Sequence, residues 1–158
     1  MSEQTVSPDD WRSVMGYFAS GVTVVTGWDG DEPVGTTVSA FCSVSLTPPL
    51  LLVCLDHKNP ALAPIKAKGH FGINILGADG MDVAMRFATP METNRFEGFD
   101  FIHDQAGAPR LSGAPVFIDC ALHDSYTVGD HEILIGRGLT VAKDLTSKPM
   151  VYHQGNFL

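Results

Sequence analysis

The chain has 158 residues, with 10 Lys and Arg against 18 Asp and Glu, for a formal net charge of −8. That balance argues against a surface that tracks nucleic-acid phosphates, and 44% hydrophobic with only 18% charged residues excludes a disordered chain. The length suits one domain over residues 1–158, and so thin a charged cover suggests apolar surface hidden in an oligomer.

The first expected element is a helix over 8–20. Ser7 can cap it, Pro8 fits its first turn, and Asp9 and Asp10 complement the dipole. Trp11, Val14, Met15, Phe18 and Ala19 form an apolar stripe, and Gly21 is the stop. The period then changes. A β-branched strand over 22–28 turns at Asp29-Gly30 and returns over 33–41. After the Thr47-Pro48-Pro49 corner, residues 50–55 are apolar on both faces and read as a central strand. Asn59 and Pro60 open a helix that runs to Lys68 and closes at Gly69, with Pro64 inside it predicting a short or bent element. A strand over 71–76 precedes a helix capped by Asp79 and ending near Ala88. Residues 89–114 read as irregular. Strands over 116–128 and 132–141 flank the Gly129-Asp130 turn, and 149–153 is a final short strand. Hairpins and tight corners, rather than crossover helices, predict a mainly β, antiparallel barrel or sandwich.

No run of 18 apolar residues occurs, and the acidic, polar start differs from a signal peptide, so a cytoplasmic protein without a membrane partner is expected. Cys42, Cys54 and Cys120 are widely spaced in apolar runs and read as reduced, buried thiols. His57, His70, His103, His123, His131 and His153 show no metal-binding spacing, so no metal site is expected. Dinucleotide, P-loop, zincin and hydrolase motifs are all missing, so any nucleotide must be held in another way.

Small hydroxyl residues concentrate at Thr36, Thr37, Ser39, Ser43, Ser45 and Thr47. They form either the wetted face of a strand or a surface for a planar polar ligand. A flavin suits the second reading, because its pyrimidine edge needs donors and acceptors and its reduced form gains charge near N1 and O2. Lys58 and Arg86 are candidate cations for a ligand phosphate, whereas Lys66 and Lys68 read as a helix coating. Asn59-Pro60 offers backbone donors at a helix start. His131 follows a turn, where an imidazole can meet a ligand ring.

Taken in order, residues 18–26, 35–49, 51–55 and 70–76 resemble the short-chain flavin reductase family, the reductase components of two-component flavin monooxygenases. Residues 86–88, 95–96 and 107–109, Gly129-Asp130-His131 with Ile135-Gly136, and 152–155 continue the resemblance, which spans about 11–157. It implies an FMN-binding split β-barrel with Greek-key strands and a few flanking helices, acting as a homodimer. It also implies reduction of FMN or FAD by NADH or NADPH and release of reduced flavin to a partner monooxygenase. By position, Thr37, Val38, Ser39, Ala40 and Phe41 with Ser43 and Val44 resemble the segment lining the isoalloxazine and ribityl chain. Lys58 and Asn59 resemble the phosphate-side loop, and Arg86 a basic position nearby. Asp130, His131 and Tyr152 are placed on the nicotinamide side, with His131 orienting the ring. The chain departs from the family at Ser39, where many members carry Asn. It departs again at residues 57–61, where a Ser/Thr-rich stretch is usual. The alternatives are a split-barrel flavoprotein with tightly bound FMN acting on an organic substrate, and a flavin or haem carrier without turnover.

Overall fold

The computed structural model describes residues 5–90, 94–102 and 106–158, which leaves His103 outside the described residues. In chain order the elements are α1 (Pro8–Gly16), β1 (Ser20–Gly21), β2 (Thr23–Asp29), β3 (Glu32–Val38), β4 (Phe41–Ser45) and β5 (Leu50–Asp56). Next come α2 (Leu62–Lys68), β6 (His70–Ile75), α3 (Met81–Ala88), β7 (Phe101–Ile102) and β8 (Arg110–Leu111). The chain ends with β9 (Val116–Val128), β10 (His131–Lys143), β11 (Val151–His153) and β12 (Asn156–Phe157).

Seven strands form one antiparallel sheet in the order β3-β2-β6-β9-β10-β5-β4. Strands β3 and β4 are its two edges, yet only Ser39 and Ala40 separate them in the chain. Laid flat, six gaps of about 4.8 Å would set the edges about 29 Å apart. The link from Val38 to Phe41 reaches at most about 11 Å. The sheet must therefore curl until its edges nearly meet. No ladder joins β3 to β4, so the result is a barrel split along that seam.

The barrel interior holds Val25, Leu51, Val53, Leu55, Phe71, Ile73, Cys120 and Leu134, and α2 adds Leu62 and Ile65. The other face of β2 packs with α3, Phe96 and Leu111 through Val22, Val24, Ala84 and Phe87. Strand β2 is thus buried on both faces, as a β-branched run permits. Buried polar anchors fix the intervening segment: Thr26 donates to Pro109 O at 2.6 Å, Trp28 Nε1 to Gly107 O at 2.8 Å, and Leu111 N to Asn74 Oδ1 at 2.8 Å.

Several expectations need correction. Helix α1 stops at Gly16, so Phe18 and Ala19 lie beyond it, and its apolar stripe is uncovered: it buries no residue. Strand β5 is interior, as expected, paired with β10 on one side and β4 on the other, though it lies only one place from the edge. Leu51, Val53 and Leu55 face the core, while Leu50, Leu52 and Cys54 are half-buried. Pro64 is the third residue of α2, where an N–H has no helical partner, so it does not break the helix. Asp79 does not cap α3. Gly80 occupies that position without a side-chain bond. Two-residue strands β7 and β8 pair within the segment read as irregular. Cys42 is exposed and Cys54 half-buried, so only Cys120 is a buried thiol.

Candidate active site

The seam carries most of the residues singled out in the sequence. Thr37 Oγ1 donates to Ala84 O on α3 at 2.7 Å, which pins β3 to that helix. Val38 faces the core, and its carbonyl accepts from Thr23 at 2.7 Å, so its contribution to a ligand surface is confined to its main chain. Ser39, Ala40, Ser43 and Val44 are exposed, and Phe41 is half-buried against the core. Val44 is bulged out of the β4–β5 register. Because β4 is an edge, part of its main chain is left unpaired, and among the described residues the Ser39 and Ser43 hydroxyls have no protein partner. Thr37 and Ser39, with Val22, Ala88, Tyr152 and Phe157, line a hollow of about 180 Å³. Tyr152 therefore stands beside the hydroxyl segment.

A second group sits at the tip of the β9–β10 hairpin. His131 pairs with Asp56, the last residue of β5, so the hairpin tip and the 56–59 turn lie side by side. His57 N donates to Asp130 O at 3.1 Å, which clips the two turns together. His131 Nδ1 is 2.7 Å from Asp130 Oδ1, and this bond holds the Asp130 carboxyl below the usual carboxylate range. An ionised Asp130 accepts, so Nδ1 carries the proton and Nε2 is left for a ligand.

Asn59 joins the two groups. Its Oδ1 accepts from Ala61 N at 3.0 Å, and its Nδ2 donates to Thr36 Oγ1 at 2.9 Å, tying the 56–59 turn to β3 beside Thr37. Asn59 therefore shapes the site with both ends of its amide. Lys58 N donates to Asp56 Oδ1 at 2.8 Å, and its exposed ammonium has no protein partner among the described residues. Arg86 Nη2 donates to Glu97 O at 3.4 Å, and the guanidinium lies 5.6 Å from the Phe99 ring centroid.

Sequence reasoning passed over Glu132; it named Thr36 only within the hydroxyl cluster and His57 only among histidines without metal-binding spacing. Glu132 is buried next to His131 and accepts from Lys66 and from Thr127. Lys66 is thus paired rather than a plain helix coating. The Lys66 bond, followed by that of Thr127, lowers the Glu132 pKa from 4.5 to about 2.

The model of the flavin reductase like domain matches residues 15–158. The chain belongs to this family. It is 39% identical over 154 residues to the reductase component of a 4-nitrophenol 4-monooxygenase/4-nitrocatechol 2-monooxygenase from Rhodococcus opacus, covering 98% of this chain and 82% of that one. It is 35% identical over 161 residues to an NADH-dependent FAD reductase of Streptomyces globisporus, covering 98% and 88%. The solved structure of the Streptomyces globisporus NADH:FAD oxidoreductase with NAD and FAD fragments superposes with a TM-score of 0.90 at 34% identity, covering 98% of this chain and 95% of that one.

The flavin reductase-like site fits the ligand its family name implies. An open sheet edge and two free hydroxyls suit a pyrimidine rim, and an unpaired ammonium on the neighbouring turn suits a phosphate. The hollow of about 180 Å³ is below the roughly 300–1,000 Å³ of a complete small-molecule pocket.

Proposed function

We propose that this chain is a flavin reductase that takes a hydride from NADH, passes it to FAD or FMN, and gives up the reduced flavin to a separate monooxygenase. One observation carries the reading: the β3–β4 seam, the Lys58 turn and the His131 turn are bonded into one surface by Asn59–Thr36 and His57–Asp130. The relatives named as NADH-dependent FAD reductase and as a monooxygenase reductase component support the choice of ligands and partner.

The flavin supplies the redox chemistry when bound, accepting hydride at N5 from a nicotinamide C4 laid against its ring. The chain's own task is to hold and orient. Ser39, Ala40, Ser43 and the free edge of β4 present donors to the flavin's polar rim. Lys58 attracts the phosphate. His131, oriented by Asp130, offers Nε2 to the nicotinamide, and no side chain has to act as a strong acid or base.

The working form is a homodimer. Support comes from the incomplete enclosure and from uncovered apolar surface. Trp11, Val14, Met15 and Phe18 are all more than half exposed, and the outward side chains of β5 are apolar and only half-buried.

The test is NADH or NADPH consumption with FMN or FAD added in all four combinations, with sedimentation to read the assembly. Consumption that depends on added flavin, by a protein that leaves gel filtration colourless, is the expected result. No consumption in any combination refutes the reading, and turnover by a protein that stays yellow transfers it to a bound-FMN enzyme.

A further inference from the structure

We propose that Glu132 is a positioning residue for the phosphate side of the flavin site, acting through His57 on the turn that carries Lys58. The inference rests on the flavin-reductase reading and adds a residue that itself touches neither ligand.

Strand alternation sends His131 and Glu132 to opposite faces of β10, and Glu132 is only 4% exposed. A carboxylate so placed needs donors, and it finds them on α2 and β9, with an imidazole close by. Lys66 of α2 binds Oε1. Thr127 of β9 donates to Oε2 at 3.0 Å. His57, in the turn after β5, brings Nε2 to 3.5 Å from Oε2.

The consequence lies in that turn. His57 is bonded to β10 through its main chain, which donates to Asp130 O, and its ring lies within ion-pair reach of Glu132 at 3.5 Å. Asn59, two residues on, is anchored to β3 through Thr36. Lys58 stands between the two anchors, and its main chain is held while its ammonium is free. Losing the Glu132 carboxylate removes the charge beside the His57 ring and leaves the Lys58 backbone less fixed. Lys66 cannot substitute for Lys58, because Glu132 already neutralises it.

A staple with a purely structural role would lower the melting temperature but treat all flavins alike. A residue that acts through Lys58 must distinguish a flavin with a phosphate from one without. The test compares KM for FMN and for riboflavin, with NADH, in the wild type, Glu132→Gln, His57→Ala, Lys58→Ala and the Glu132→Gln/Lys58→Ala pair. Glu132→Gln and His57→Ala should each raise the FMN KM about three- to tenfold and the riboflavin KM less than about twofold. Lys58→Ala should show the same selectivity, and adding Glu132→Gln to it should change little further.

Equal shifts for both flavins, no shift for either, or full additivity in the pair would overturn the proposal. His57→Ala, whose side chain is 38% exposed, carries the same comparison if Glu132→Gln does not fold. A wild type that reduces neither flavin would instead refute the underlying flavin-reductase reading.

Discussion

Asn59→Ala tests the joint between the two halves of the site. The substitution removes two hydrogen bonds, one to Ala61 N at 3.0 Å and one to Thr36 Oγ1 at 2.9 Å. At about 1 kcal/mol net for each, the loss is about 2 kcal/mol. For a domain of this size that lowers Tm by about 4–8 °C. Thr36 is buried, so its hydroxyl is left without its donor and the cost falls in the upper part of that range. Asn59→Asp keeps the acceptor for Ala61 and loses only the donor to Thr36, so it should recover about half of the melting loss. Both variants free the 56–59 turn from β3, so both should raise the flavin KM. Thr36→Val attacks the same bond from the other side. The pair Asn59→Ala/Thr36→Val should therefore be less destabilised than the sum of its single variants, by roughly 0.5–1 kcal/mol. Differential scanning fluorimetry and flavin titration of initial rates read the two effects. A Tm change below about 1 °C with an unaltered flavin KM would refute the idea that this amide joins turn to sheet.

Four further outcomes are expected. Glu132 has a lowered pKa, so it contributes stability that is fully present above pH 4.5 and lost as pH falls toward about 2; the Tm difference between wild type and Glu132→Gln should shrink over that window. His131→Ala should raise the nicotinamide KM more than the flavin KM, and equal or absent effects in steady-state kinetics would remove it from the nicotinamide side. Gly136→Ala would bring a Cβ to 2.5 Å from Phe71 Cζ, and Phe71 is fully buried, so urea unfolding should show a loss of about 1–3 kcal/mol. Iodoacetamide at pH 8 should label exposed Cys42 first and leave Cys120 untouched, because burial, followed by the Asp119 charge, raises the Cys120 pKa to about 12.

The hairpins were the most legible part of the fold. Gly30 and Gly129 both take positive φ at the turns expected of them, and the β-branched or alternating runs on either side leave little choice of element. The apolar run of β5 was legible as a strand flanked on both sides, but local hydrophobicity could not tell that it lies only one place from the edge. The stripe on α1 announces an apolar face without saying what covers it. Strands β7 and β8 are too short to show a period. Within the site, the hydroxyl segment, Lys58 and His131 could be chosen from residue type and resemblance. Their adjacency could not, since His131 meets Asp56 only through the β5–β10 pairing. Glu132, and the burial of Thr36 under Asn59, were hidden because a buried polar residue in a strand looks, in one dimension, like its solvated neighbours.

The link between β3 and β4 sets the curvature of the whole molecule by its brevity. Two residues act as a strap drawn across the rim, and the proposed ligand surface is laid on the strap itself. Slack in that strap, more than any change of side chain, would let the rim spread and flatten the groove.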